Sequence, residues 1–280
     1  MFIDDRPLGV RDGCPRGCIP ALDDPLTTDA AGGACLDDDR IVFGIMINGE
    51  SRAYPKHQME THEMVNDTLG GRRIGIPYCT LCGSTQAYFT DSVPDGVETP
   101  VLRTSGLLSR SNKVMFDLVS YSLLDTFTGS AVTGPLREVG VRLDQATVVA
   151  STWGAWKATH PDTTIVAEDG GIGFVYLLDP LRGRDDNGPI FPVGDVDPRL
   201  DVQELIVGVE YEEGPVVAFA KRVAIEHLES GGVVEFADVT ILLDGSGLRA
   251  VRADGTDVAT HEAFWFAWSQ FWPDTALWAP

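Results

Sequence analysis

Lysine and long apolar runs are scarce in this sequence, and each scarcity excludes a class of protein. Only four of the 21 basic residues are lysines, and 42 acidic residues leave a net charge of −21. Such a surface repels nucleic-acid backbones and anionic membranes, so we expect neither as a partner. No stretch approaches the ~18 apolar residues of a membrane-spanning helix, and no signal-peptide core opens the chain. We therefore expect a cytoplasmic protein, or one whose leader peptide is not part of this sequence.

Composition and patterning indicate a folded chain rich in strands. The sequence is 44% hydrophobic and 22% charged, which is typical of globular proteins. We predict an α+β fold that is mainly β, with two repeat-related domains. The predicted organisation is an extended N-terminal arm (1–40), a metal-binding repeat (41–168), a crossing connection (169–204) and a degenerate structural repeat (205–280).

The clearest local signals follow the arm. Asn48 and Gly49 separate two apolar runs, a pattern that predicts a two-residue β-hairpin turn. Pro55 suits the first turn of a helix, which we predict to continue up to the glycine pair at Gly70. His62 then lies on the inward face of that helix.

Two segments of the chain resemble each other. WKATHPDTTIV (156–166) is echoed by WSQFWPDTALW (268–278), and a weaker echo precedes each segment. Where the first copy has a cysteine pair, the second has an apolar run. We infer an internal duplication in which only the N-terminal copy kept reactive side chains.

Cys79 and Cys82 give the strongest chemical signal, a C-x-x-C-G sequence at the end of a predicted strand. Two thiolates at this spacing can chelate a metal ion or close into a disulfide. A thioredoxin-like redox site needs a helix after the first cysteine, which the following residues do not indicate. The pair can also serve as small buried hydrophobes. We favour a metal site.

A metal site needs further ligands. His62 on the inward helix face and Met115 on a later predicted strand complete a soft set of two Cys, one His and one Met, which suits copper. Cys14 and Cys18 are alternative partners and would form a four-cysteine zinc site. Both possibilities stay open at this point.

Several blocks together resemble a known family. HEMVNDTLGGRRIGIPYCTLCGSTQAYF, SGLLSRSNKVMFD and W-x-x-x-HPDT are similar to a bacterial and archaeal family catalogued as domain of unknown function 3179 (DUF3179), over about residues 19–280. The resemblance implies no activity. It places His62, Cys79, Cys82 and Met115 in recurring blocks of the family.

The sequence also departs from the family pattern. Family members usually carry a leader peptide, which this sequence does not show. Thr61 and Leu124 stand where the family commonly has tryptophan. The loss of two aromatic side chains near the predicted site implies an open cavity for a small molecule.

These observations lead to a functional hypothesis. We expect a copper-dependent oxidoreductase, an oxidase or oxygenase, that acts with dioxygen on a small organic molecule. The alternatives are a non-enzymatic copper carrier or electron-transfer protein, and a zinc-stabilised interaction domain. The substrate and the reaction are not indicated by the sequence.

Overall fold

The fold is α+β and mainly β, as predicted. The computed structural model describes residues 19–184, 187–210 and 216–280. Within these ranges the strands are β1 (Leu22–Asp23), β2 (Thr27–Asp29), β3 (Ile41–Ile47), β4 (Glu50–Pro55), β5 (Met64–Leu69), β6 (Arg72–Cys79), β7 (Ser84–Thr85), β8 (Ala87–Phe89), β9 (Leu102–Ser109), β10 (Asn112–Asp117), β11 (Leu123–Asp125), β12 (Asp144–Ala146), β13 (Val149–Thr152), β14 (Thr164–Val166), β15 (Leu205–Val209), β16 (Val217–Ala220), β17 (Val234–Phe236), β18 (Val239–Asp244), β19 (Gly247–Arg252), β20 (Asp257–Val258), β21 (Thr260–Phe264) and β22 (Ala276–Leu277). The helices are α1 (Lys56–His62), α2 (Gly134–Glu138), α3 (Trp153–Thr159), α4 (Lys221–Glu229) and α5 (Trp265–Phe271), with a 3₁₀-helix at Gly32–Cys35.

Four sheets organise these strands. The largest has the order β1-β5-β6-β7-β21-β15-β16-β22, with β8 and β12 branching from β6. The others are β13-β3-β4-β14-β2, β11-β10-β9 and β17-β18-β19-β20. β1 and β2 belong to the predicted arm and pair with β5 and β14, so the described part of the arm lies on the body of the protein.

The predicted hairpin forms, but the helix after it is shorter than predicted. β3 and β4 pair around Asn48 and Gly49, whose φ angles are 51° and 85°. α1 ends at His62 because Glu63 adopts the left-handed conformation with φ 56°, and β5 follows. The prediction of a helix up to Gly70 was therefore wrong. The pairing of β5 with β6 overrides the helical pattern of this segment.

Two of the sheets contain the same arrangement. β13-β3-β4-β14 and β21-β15-β16-β22 both pair antiparallel, antiparallel and parallel in that order. The indole of Trp156 donates to Thr163 Oγ1 over 3.0 Å, and Trp268 donates to Thr275 Oγ1 over 3.1 Å. A duplication would produce this match, although common ancestry itself stays a prediction.

The three-stranded sheet sets the location of the site. β9 and β10 pack over β5 and β6 of the largest sheet, so the end of β6 lies between two layers. The described residues of the crossing connection, 169–184 and 187–204, contain no helix or strand, and Phe174 and Tyr176 pack against His62. In the described part of the chain, no helix is long and apolar enough to cross a membrane.

Candidate functional site

A tight turn after β6 brings two thiols together. Cys79 ends the strand, the backbone N–H of Cys82 donates to the Cys79 carbonyl over 3.1 Å, and Gly83 continues the turn with φ 58°. The two Sγ atoms lie 2.7 Å apart, and the residues are 4% and 0% exposed. The predicted pair is therefore a buried dithiol at the edge of the β6–β7 hairpin.

The turn between β9 and β10 touches this pair. Cys82 Sγ donates to the carbonyl oxygen of Ser111 over 2.7 Å. Arg110 and Ser111 form the turn with φ angles of 47° and 67°, a conformation for which glycine and asparagine are the usual residues. Non-glycine residues there store strain, and such strain concentrates at functional sites.

A buried lysine lies beside the dithiol. Lys113 is 5% exposed, and its ammonium donates to the backbone carbonyl of Glu63 and, over 3.3 Å, to Thr104 Oγ1. Its Nζ is 3.7 Å from Glu63 Oε2. Glu63, in its left-handed conformation, thus places both its backbone carbonyl and its carboxylate near the Lys113 ammonium. Burial lowers the pKa of Lys113, and the nearby negative groups partly offset that effect.

The two thiols differ in acidity. Burial alone raises the pKa of Cys79, but the hydrogen bond with Cys82 and the charge of Lys113 outweigh it and leave the pKa below the ordinary value. Burial and the neighbouring Cys79 raise the pKa of Cys82 well above its ordinary value. Cys79 is therefore the more acidic thiol of the pair.

Polar atoms without partners lie in the same layer. Cys79 pairs in register with Ser84, whose hydroxyl donates to Asn112 Oδ1 over 3.0 Å, and Gln86 alternates onto the same face as Ser84. Gln86 and Asn112 are both 0% exposed. Both side-chain amide atoms of Gln86 and the Asn112 Nδ2 have no hydrogen-bond partner among the described residues. Each unpaired buried group costs about 1–3 kcal/mol, so these two amides are unfavourable for stability where they lie.

His62 is buried as predicted, but its ring nitrogens already have partners. Nδ1 lies 2.7 Å from the carbonyl oxygen of Pro20, and Nε2 lies 2.6 Å from the hydroxyl of Tyr176. One partner comes from the predicted arm and the other from the crossing connection. In this structure His62 thus ties these two segments to α1.

Met115 is fully buried in an apolar cluster with Met64, Tyr88 and Leu124. The cysteines belong to a different cluster, which contains Phe127. Across residues 19–184, 187–210 and 216–280, no group of three or more His, Cys, Asp or Glu side chains is arranged to hold a metal ion. The structure therefore brings Cys79 and Cys82 together without assembling the predicted four-ligand set. Cys14 and Cys18, the alternative zinc ligands, lie outside the described residues.

Thr61 and Leu124 stand where the family commonly has tryptophan. They do not form an open site in the way the sequence suggests. Leu124 is 0% exposed and packs with Met115. The Thr61 hydroxyl donates to the His57 carbonyl over 2.9 Å. Neither residue lines the cavity of about 660 Å³ on the three-stranded sheet.

Sequence reasoning missed Glu63 and Lys113. Both stand next to predicted site residues, Glu63 after His62 and Lys113 two positions before Met115, in the same blocks of sequence. A charged residue in a polar turn is typical of the surface, so its burial was not indicated. The sequence has only four lysines, and this scarcity was the one signal that pointed to Lys113.

Comparison with known proteins identifies the family. A model of the family described as "Protein of unknown function (DUF3179)" matches residues 16–251, which is most of the chain. No curated protein and no solved structure matches significantly. The chain belongs to the DUF3179 family.

Proposed function

We propose that the protein is a copper-dependent oxidoreductase whose metal is held by the thiolates of Cys79 and Cys82. The observation that carries the proposal is the buried pair of sulfur atoms beside the ammonium of Lys113. Thiolates are the ligands that Cu(I) prefers. Of the four ligands predicted from sequence, Cys79 and Cys82 hold the metal, and His62 and Met115 have structural roles.

The electrostatics of the layer support a metal bound by thiolates. Two ionised thiols in an apolar layer are costly unless positive charge lies close to them. Lys113 supplies one positive charge, which the Glu63 carboxylate partly offsets, and a bound ion would supply the rest. The lowered pKa of Cys79 means that this ligand is available as a thiolate more readily than an ordinary cysteine.

The donor set fits copper better than zinc. A structural zinc site takes four ligands, and the described residues offer two cysteines without a third grouped Cys, His, Asp or Glu. A zinc-stabilised domain would need ligands from outside those residues, such as Cys14 and Cys18. Cu(I) is soft and does not require the four-ligand cage of structural zinc.

Burial favours an enzyme over a carrier. A copper carrier passes its ion to a partner by ligand exchange, which needs thiols at the surface. Here both thiols are enclosed between two sheets, where another protein cannot contact them directly. Copper in this position would supply one-electron chemistry with dioxygen.

The 2.7 Å contact between the sulfur atoms favours a second candidate, a thiol–disulfide oxidoreductase. In that reaction the Cys79 thiolate attacks a disulfide of the substrate and expels one substrate thiolate. The Cys82 sulfur then attacks Cys79 in the mixed disulfide, and the second substrate sulfur leaves with the Cys82 proton as a thiol. The unequal pKa values of the pair suit this chemistry, since one thiol attacks while the other stays protonated.

The experiment that separates these functions is metal analysis combined with oxygen uptake. Protein purified without chelator or nickel resin should carry about one copper per chain, and Cys79→Ser/Cys82→Ser should carry none. Cys35→Ser is the matched control, because Cys35 is an exposed free cysteine. Oxygen uptake should require copper. Full copper content in the double variant would exclude the copper proposal, and copper-independent reduction of an added disulfide that Cys79→Ser abolishes would favour the thiol–disulfide function.

A further inference from the structure

The outer side of the β9–β10 hairpin contains a cavity that the dithiol does not occupy. Its volume is 660 Å³, within the range of about 300–1,000 Å³ typical of small-molecule sites. Leu107, Val114, Leu123 and Phe271 form its apolar lining, and all four are buried. An apolar body of a small organic molecule fits such a surface.

Two guanidinium groups lie at the mouth of this cavity. Arg110 and Arg137 both line it and are both exposed. Arg110 lies over the ring of Phe271, with 5.2 Å from Cζ to the centroid. Neither arginine forms an ion pair with an acidic side chain of the described residues. Two cations at one cavity, in a chain with a net charge of −21, mark a local site for an anion.

The one carboxylate in the lining is directed toward the backbone. Asp125 Oδ1 accepts from the N–H of Phe127 over 2.8 Å and from the N–H of Thr128 over 3.2 Å. Burial raises the pKa of Asp125, and the two backbone hydrogen bonds, a hydrogen bond with Ser109 and the charge of Arg110 partly offset that effect. Arg110 Nη1 donates to the carbonyl oxygen of Phe271 over 3.4 Å, which leaves further N–H groups of its guanidinium for a ligand.

We propose that this cavity binds a small organic carboxylate, with the carboxylate on Arg110 and Arg137 and an apolar body on Leu107, Leu123 and Phe271. Guanidinium and carboxylate groups form paired, charge-assisted hydrogen bonds that a neutral amide does not reproduce. That the acid is the substrate of the dithiol site rests on the proposed function. Binding of the acid does not depend on it.

Two structural links connect the cavity to the dithiol. Arg110 is followed directly by Ser111, whose carbonyl accepts from Cys82. Phe271 belongs to the same apolar cluster as both cysteines and stacks on Phe127 with 4.4 Å between ring centroids. A carboxylate bound to Arg110 therefore contacts the strained turn of Arg110 and Ser111, and this turn contacts the cysteine pair.

Titration calorimetry with octanoate and octanamide tests the proposal. Octanoate should bind the full chain at least about tenfold more tightly than its neutral analogue. Arg110→Gln/Arg137→Gln should remove this preference and leave octanamide binding unchanged. Arg222→Gln is the matched control, since Arg222 lies on α4 and pairs with Glu226. Leu108→Trp, which fills the cavity from its lining, should weaken both ligands.

The outcomes separate this proposal from the preceding one. Cys79→Ser/Cys82→Ser should lose copper and keep octanoate binding. Equal binding of octanoate and octanamide, no binding of either, or an equal effect of Arg222→Gln would overturn the carboxylate site. Octanoate binding without copper binding would support the carboxylate site and refute the copper function. Copper binding without octanoate binding would refute the carboxylate site alone.

Discussion

The thiol of Cys82 donates a hydrogen bond of 2.7 Å to the carbonyl oxygen of Ser111, a residue with φ 67°. The contact joins the cysteine turn after β6 to the turn between β9 and β10. It also links a buried reactive group to a backbone conformation that L-residues rarely adopt. The strained turn between β9 and β10 is therefore in direct contact with the reactive cysteine turn after β6.

Ser111→Gly should stabilise the protein. Glycine adopts positive φ without a Cβ clash, a relief of about 1–2 kcal/mol, but loses about 0.5–1 kcal/mol through its greater freedom when unfolded. We expect the free energy of unfolding in urea to rise by about 0.5–1 kcal/mol. Ser109→Gly, in strand β9, is the matched control and should lower it. Equal destabilisation by both variants would show that the turn is not strained.

Lys113→Met should raise the pKa of the Cys79 thiol. The variant keeps the shape of a buried side chain but removes the positive charge that favours the thiolate. Ultraviolet thiolate absorbance across a pH titration measures the change. Lys157→Met removes a lysine that pairs with Asp38 at the surface and should leave the titration as it is. An unchanged titration in Lys113→Met would show that the charge of Lys113 does not affect the pKa of Cys79.

Acid should destabilise the protein through His261. Burial lowers the pKa of this histidine from 6.5 to about 3, so below about pH 6.5 the unfolded chain binds a proton that the folded chain does not. The free energy of unfolding should therefore fall with decreasing pH, by up to about 1.4 kcal/mol per pH unit, until about pH 3. His261→Gln should show a smaller loss over the same range in urea unfolding. Parallel curves for the two proteins would contradict the assignment.

His62→Gln should keep its copper while losing stability. The two ring nitrogens bond to Pro20 and Tyr176, and removal of buried hydrogen bonds costs about 1–3 kcal/mol. Metal analysis and urea unfolding measure the two effects. Cys79→Ser, by contrast, should lose the metal. A folded His62→Gln protein without copper would restore His62 as a ligand.

Local signals predicted part of the fold correctly. The turn at Asn48 and Gly49 was predictable because its positive φ angles require particular residues. The strand before Cys79 was also predictable, since a glycine pair precedes it and a short apolar run forms it. The end of α1 was not predictable, because Glu63 has no local feature that favours φ 56°.

The candidate site was only partly predictable for a related reason. The spacing of Cys79 and Cys82 is local, and the structure keeps the two thiols together. Lys113 reaches Glu63 across 50 positions of sequence, a contact that depends on how two sheets pack. His62 was correctly placed inward, but its partners come from distant segments that no pattern in the helix indicates.

X-ray absorption at the copper edge tests the central claim most directly. Full-length protein loaded with one equivalent of Cu(I) should show a first shell of two sulfur atoms from Cys79 and Cys82. The spectrum should be unchanged in His62→Gln and in Met115→Leu. A first shell containing a histidine nitrogen or more than two sulfur atoms, or copper that stays bound in Cys79→Ser/Cys82→Ser, would contradict a site built on two thiolates.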